Sequence, residues 1–100
     1  MQITIRGKKW HFKFEKVEEG NVGLCDSPTT PNKTITVDPN QSELDVLDTC
    51  AHEILHAAYW DLGEEAIEET ATDLARALWR LGYRREHGIP KTRSYRARET

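Results

Sequence analysis

Apolar and polar residues alternate through the first third of the chain. In QITIR, Ile3 and Ile5 flank Thr4, the two-residue period of a strand with one buried face. In WHFKFEKV, Trp10, Phe12 and Phe14 fall on one face and His11, Lys13 and Glu15 on the other. The intervening Arg6-Gly7-Lys8-Lys9 predicts a turn, so the two runs read as a hairpin. Residues 18–32 are rich in Gly, Pro, Asn, Asp and Thr, the composition of a loop, with room for a short strand at 21–25. KTITVD supplies a further strand with Ile35 and Val37 facing inward, ended by Asp38-Pro39-Asn40.

The period then lengthens to three and four. Leu44, Leu47, Ala51, Leu55 and Ala58 predict one apolar face of a helix from Ser42 to about Trp60. Ser42 and Asp45 have capping-box spacing, with Asp in the place usually held by Glu or Gln. Asp61-Leu62-Gly63 breaks this helix, and a second runs from Glu64 to about Leu81. Its expected buried stripe is Ile67, Ala71, Leu74, Leu78 and Leu81, with Gly82 at its end. A break this short makes the helices antiparallel neighbours. The expected fold is therefore α+β over residues 1–85, a small antiparallel sheet packed on two antiparallel helices. Residues 86–100 have no apolar period and are expected to form a basic, disordered tail.

Composition narrows this picture. A chain of 100 residues holds one modest core. With 37% apolar and 31% charged residues it reads as soluble and globular. No stretch is long and apolar enough to span a bilayer, and MQITIRGKKW lacks the apolar core of a signal peptide, so a cytoplasmic location is expected. Cys25 and Cys50 do not make a disulfide framework. The net charge of −3 gives no overall attraction to nucleic acid. Locally, Arg84, Arg85, Lys91, Arg93, Arg96 and Arg98 stand against Glu86, so the tail is a candidate for phosphate contact.

The stretch AHEILHAAYW carries the chemistry. His52 and His56 are four apart on a predicted helix, so both imidazoles project from one side and can meet one metal ion. Glu53 is rotated by about 100° from His52 and can stand beside the metal rather than on it. There it is placed as the general base for a water that the ion acidifies. A catalytic zinc site needs a third protein ligand and an open position. The second helix offers Glu64, Glu65, Glu68 and Glu69. With Ile67 at zero and about 100° per residue, Glu64 falls near about 60° and Glu68 near about 100°, both flanking the expected buried face. Glu65 and Glu69 fall near about 160° and 200°, on the outer face with Arg76 and Arg80. Glu68 is the preferred ligand, beside the small Ala71 and Ala75, and Glu64 is the alternative.

HEILHAAYWDLGEEAIEETATDLARALWRLGY resembles the gluzincin metallopeptidases, and more closely the small SprT-like or minigluzincin proteins of phage and microbial genomes. The likeness extends over residues 1 to 85 and is densest from His52 to Tyr83. It implies a zincin-like fold, Zn²⁺ on His52 and His56, Glu53 as general base and a glutamate of the second helix as third ligand. For a phage-encoded protein the compartment would be the host cytoplasm. EETATD also offers a thermolysin-like register in which Glu69 is the ligand and Asp73 follows four residues later, whereas SprT proper is associated with a third histidine, which the second helix lacks. The implied function is hydrolysis of a protein or peptide substrate. The alternative, from another class, is a non-catalytic zinc-bound module whose tail contacts nucleic acid.

Other residues have plainer readings. Asp48 precedes His52 by one turn and can orient its ring, or simply favour the helix N-terminus. Thr49 can orient Glu53, and Tyr59 can stabilise an oxyanion or merely pack. Cys25 can reach the zinc as an inhibitory fourth ligand, while Cys50 reads as a small buried residue. Trp60 and Trp79 are expected between the helices, and His11 and His87 in solvent.

Overall fold

The structure, a computed structural model, describes residues 1–85. The expected tail at 86–100, its nucleic-acid contact and His87 lie outside the described residues.

The sequence patterns become β1 (Gln2–Ile5), β2 (Lys8–Phe14), β3 (Gly23–Cys25), β4 (Thr34–Val37), α1 (Glu43–Ala58) and α2 (Glu64–Arg80). Arg6 and Gly7 both take positive φ, 48° and 82°. Such a two-residue turn matches the twist of the β1–β2 hairpin. The sheet order is β1-β2-β4-β3. It is mixed, not wholly antiparallel: β2 and β4 run parallel, with Phe12 opposite Ile35 and Phe14 opposite Val37. The chain between them crosses the end of the sheet and returns through β3, which pairs antiparallel to the outer side of β4. That leaves β3 as an edge strand.

Trp10, Phe12, Ile35 and Val37 form the sheet's contribution to the core, closed by Val46 and Ala57 of α1. The Ser42 hydroxyl accepts the Asp45 N–H at 3.1 Å and fixes where α1 begins. Only α1 packs on the sheet; α2 packs on α1 alone. The expected α+β fold of a small sheet packed on two helices is present, layered sheet, α1, α2, so that α1 alone meets the sheet. The reason lies in the second stripe. Ile67, Ala71 and Ala75 are fully buried, while Leu74 is 42% and Leu81 73% exposed. Small side chains let the helix axes approach, and the larger leucines are turned outward.

Arg84 and Arg85 belong to the basic stretch but lie on the domain. Their guanidinium groups stack 3.4 Å from the Trp79 ring centre and 3.8 Å from that of Phe14. Trp79 is therefore covered by Arg84 and lies outside the cleft. No helix among the described residues is long and apolar enough to cross a membrane.

Candidate metal centre

His52 and His56 project one turn apart from α1, with ring centres 4.7 Å apart. Their Nε2 atoms are 3.1 Å from each other. Glu64 reaches across from the first turn of α2, with Oε2 3.0 Å from His52 Nε2 and Oε1 3.1 Å from His56 Nε2. The donor atoms of these three residues form a group close enough to hold one metal ion. A tetrahedral ion binding nitrogen at about 2.0–2.1 Å spaces two imidazole donors by about 3.3 Å, near the separation seen here. Two neutral imidazoles and a carboxylate are the donors that zinc accepts. The residues present fit such an ion.

The third position differs from the preferred expectation. Glu64, not Glu68, closes the group. The buried stripe is centred between Ile67 and Ala75 rather than between Ile67 and Leu74. On the same wheel that centre lies at about 40°, so Glu64 at about 60° points almost straight at α1, while Glu68 at about 100° points to one side. Glu68 instead lines the cavity next to His52 and Glu53. Glu69 is exposed and lies outside both the group and the cavity.

Glu53 stands apart from the three donors, as the helix geometry requires. It is only 8% exposed and faces the cavity of about 570 Å³ that adjoins His52. It accepts no hydrogen bond from any described residue. Burial pushes its carboxyl above the ordinary carboxylate range. Positive charge on His52 and His56 opposes that rise, and Glu64 reinforces it. A carboxyl whose pKa is raised is a stronger base than an ordinary one and better matched to accepting and returning a proton.

A contact that the sequence does not announce lies beside Glu53. Gly23 of β3 lies against it: a Cβ at Gly23 would fall 2.6 Å from Glu53 Oε2 and 2.8 Å from Thr49 Cγ2. Glycine therefore lets the edge strand close onto α1 at this point. Thr49 is buried, but its hydroxyl donates to Gln41 Oε1 at 3.2 Å rather than to Glu53. Asp48 Oδ2 accepts the Thr72 hydroxyl at 3.2 Å, tying α1 to α2. That bond gives Asp48 a role between the helices that neither reading of the sequence, on His52 or on the helix N-terminus, included. Cys25 is not among the metal donors, and its thiol donates to the Asp26 carbonyl at 3.3 Å. Burial, then the charges of Glu53 and Asp26, push that thiol up to about 12. Tyr59 is exposed beneath the Arg6 guanidinium, 4.9 Å from its ring centre. Trp60 is also exposed, edge-on to His56 at 6.4 Å between ring centres.

Compared with known proteins, the chain matches no family model, no curated protein and no solved structure.

Proposed function

We propose that this protein is a zinc-dependent peptidase, with His52, His56 and Glu64 holding the metal and Glu53 acting as general base. The observation that carries the reading is Glu53: a residue only 8% exposed, next to His52 in sequence, facing the cavity that adjoins His52 and accepting no hydrogen bond from any described residue.

Zinc bound there would supply a Lewis acid for the scissile carbonyl and lower the pKa of water. Glu53 takes the proton of the attacking water as the new C–O bond forms. It then delivers that proton to the departing amine as the C–N bond breaks, and its raised pKa suits both transfers. Three protein donors leave room for substrate, the pattern of catalytic rather than structural zinc. β3 lies at the sheet edge beside Glu53, so its outer backbone groups can pair with an extended peptide and present the bond to be cut.

The test is hydrolysis of a randomised peptide pool by zinc-loaded protein, read by mass spectrometry. Wild type should cleave the pool, a chelator should abolish cleavage, and Glu53→Gln should keep its zinc while losing activity. Cleavage by Glu53→Gln at the wild-type rate would remove Glu53 from the chemistry. A fully zinc-loaded wild type that cleaves nothing would favour the non-catalytic zinc-bound module.

A further inference from the structure

α2 rests on α1 and not on the sheet, yet the chain that leaves α2 turns back toward the sheet. Gly82 makes the turn. Its φ of 96° suits glycine. The Gly82 N–H donates to the Trp79 carbonyl and the Tyr83 N–H to that of Leu78, each at 3.0 Å. This pair of bonds ends the helix and redirects the backbone. Arg84 then stacks on Trp79 of α2, and Arg85 on Phe14 of β2. Successive residues thus bridge opposite walls of one cavity, of about 340 Å³, at the place where sheet, α1 and α2 meet.

The floor of this cavity is apolar: Phe14, Val46, Leu47, Cys50 and Trp79 line it. Phe14, Leu47, Cys50 and Trp79 are only half-buried there. Large apolar side chains gathered in one concave patch mark a surface that another group covers. The cavity lies at the end of α2 remote from Glu64, so the metal donors stand outside it.

The chain itself supplies a fitting occupant. Arg85 lines the cavity, and Glu86-His87-Gly88-Ile89-Pro90 follows it directly. Ile89 is the one branched aliphatic residue in 86–100. It stands four residues beyond Arg85, within about 14 Å of extended chain. Pro90 restricts Ile89 to extended backbone, which lowers the entropy lost on docking. A tether this short holds Ile89 near the cavity at an effective concentration of about millimolar, an advantage that a second copy or a separate peptide lacks.

We propose that residues 86–90 fold back over this cavity and that Ile89 fills it, against Trp79 and Phe14. The segment then braces α2 to the sheet, which α2 does not otherwise touch among the described elements.

The test is nuclear Overhauser spectroscopy on the full chain with labelled isoleucine methyl groups. The Ile89 methyl should show contacts to the ring protons of Trp79 or Phe14. A random-coil Ile89 methyl with no contact to either ring overturns the proposal. Two variants of the full chain add an independent reading. Ile89→Asp should melt lower by roughly 5–10 °C, and its Cys50 should be alkylated at least about fivefold faster, located by peptide mapping. Unchanged methyl signals from Ile3, Ile5, Ile35, Ile54 and Ile67 would show that the domain still folds. Tyr95→Asp, with the same charge placed further along, should leave both readings at the wild-type values. Exposure of Cys50 by Tyr95→Asp and not by Ile89→Asp would assign the cavity to a different part of the chain. A dimer in sedimentation that persists in Ile89→Asp and keeps Cys50 protected would assign it to a second copy. Either result overturns the docking of Ile89.

Discussion

Replacing Gly23 by alanine probes the contact that positions the proposed base. The added Cβ would stand 2.6 Å from Glu53 Oε2, 2.8 Å from Thr49 Cγ2 and 3.0 Å from Glu53 Cγ. Ordinary carbon contacts begin at about 3.5 Å, so something must give by more than about half an ångström. Thr49 is buried and its methyl cannot yield freely, while the Glu53 carboxylate can yield only by swinging into the cavity it faces, away from its present position. Gly23 does not sit in the left-handed region, so alanine meets no backbone strain and gains about 0.4–1 kcal/mol by restricting the unfolded chain. Overpacking costs about 1–3 kcal/mol. The net expectation is a loss of about 1–2 kcal/mol, or a melting temperature lower by roughly 5–15 °C for a domain of this size. Zinc content should stay at the wild-type level, because no donor is touched. Turnover should fall roughly 10–100-fold, the cost of misplacing a reacting group by a fraction of an ångström to an ångström. Thermal melts, zinc per chain and peptide turnover measured on one preparation check all three. A Gly23→Ala protein with wild-type melting temperature and turnover would refute the close packing of β3 on Glu53.

Three further outcomes follow from named contacts. Glu53→Gln should stabilise the metal-free protein at neutral pH: burial raises the folded-state pKa, so the folded state pays to ionise Glu53 once pH rises above the unfolded value. That advantage should shrink as pH falls back through the ordinary carboxylate range, and equal melting temperatures at every pH would contradict it. Thr72→Val removes the hydroxyl donated to Asp48 and should cost about 1 kcal/mol in urea denaturation; no loss would show that this bond does not hold α2. The Cys25 and Cys50 thiols, pushed up by burial to about 12 and about 11, should react with iodoacetamide at pH 8 roughly a hundredfold more slowly than a free thiol. Labelling at the free-thiol rate would refute that protection.

Much of the fold was legible because its signals are local. Alternation at Ile3, Ile5, Trp10 and Phe12 marks the hairpin, and the Ser42 cap marks the start of α1. Both helices begin where their caps and breaks place them, so the two histidines of HEILH were expected on one face and stand there. What failed depended on long-range packing. The parallel pairing of β2 and β4 is set by how the chain between them returns through a three-residue strand, which carries too little pattern to specify register. The choice between Glu64 and Glu68 turned on which residues of α2 are buried. Hydrophobicity alone favours a stripe through the leucines, yet Ala71 and Ala75 are buried and Leu74 is exposed. The four-residue spacing of Ile67, Ala71 and Ala75 was the available signal, and Glu64 lies three residues before it. The contact between Gly23 and Glu53 had no such signal, since a glycine among turn residues reads only as a turn.

The central claim is a metal centre made by His52, His56 and Glu64 with Glu53 beside it. The direct test is zinc affinity and stoichiometry, by competition with a chelator, for wild type and single alanine variants. Wild type should bind one zinc per chain. His52→Ala, His56→Ala and Glu64→Ala should each lose affinity by orders of magnitude, because each removes a donor from the group. Glu53→Ala and Glu68→Ala should bind within about tenfold of wild type, as residues outside the donor set do. Zinc retained by both histidine variants would contradict the centre itself. Zinc stripped by Glu68→Ala but kept by Glu64→Ala would place the third donor one turn further along α2 and overturn the assignment made from the structure.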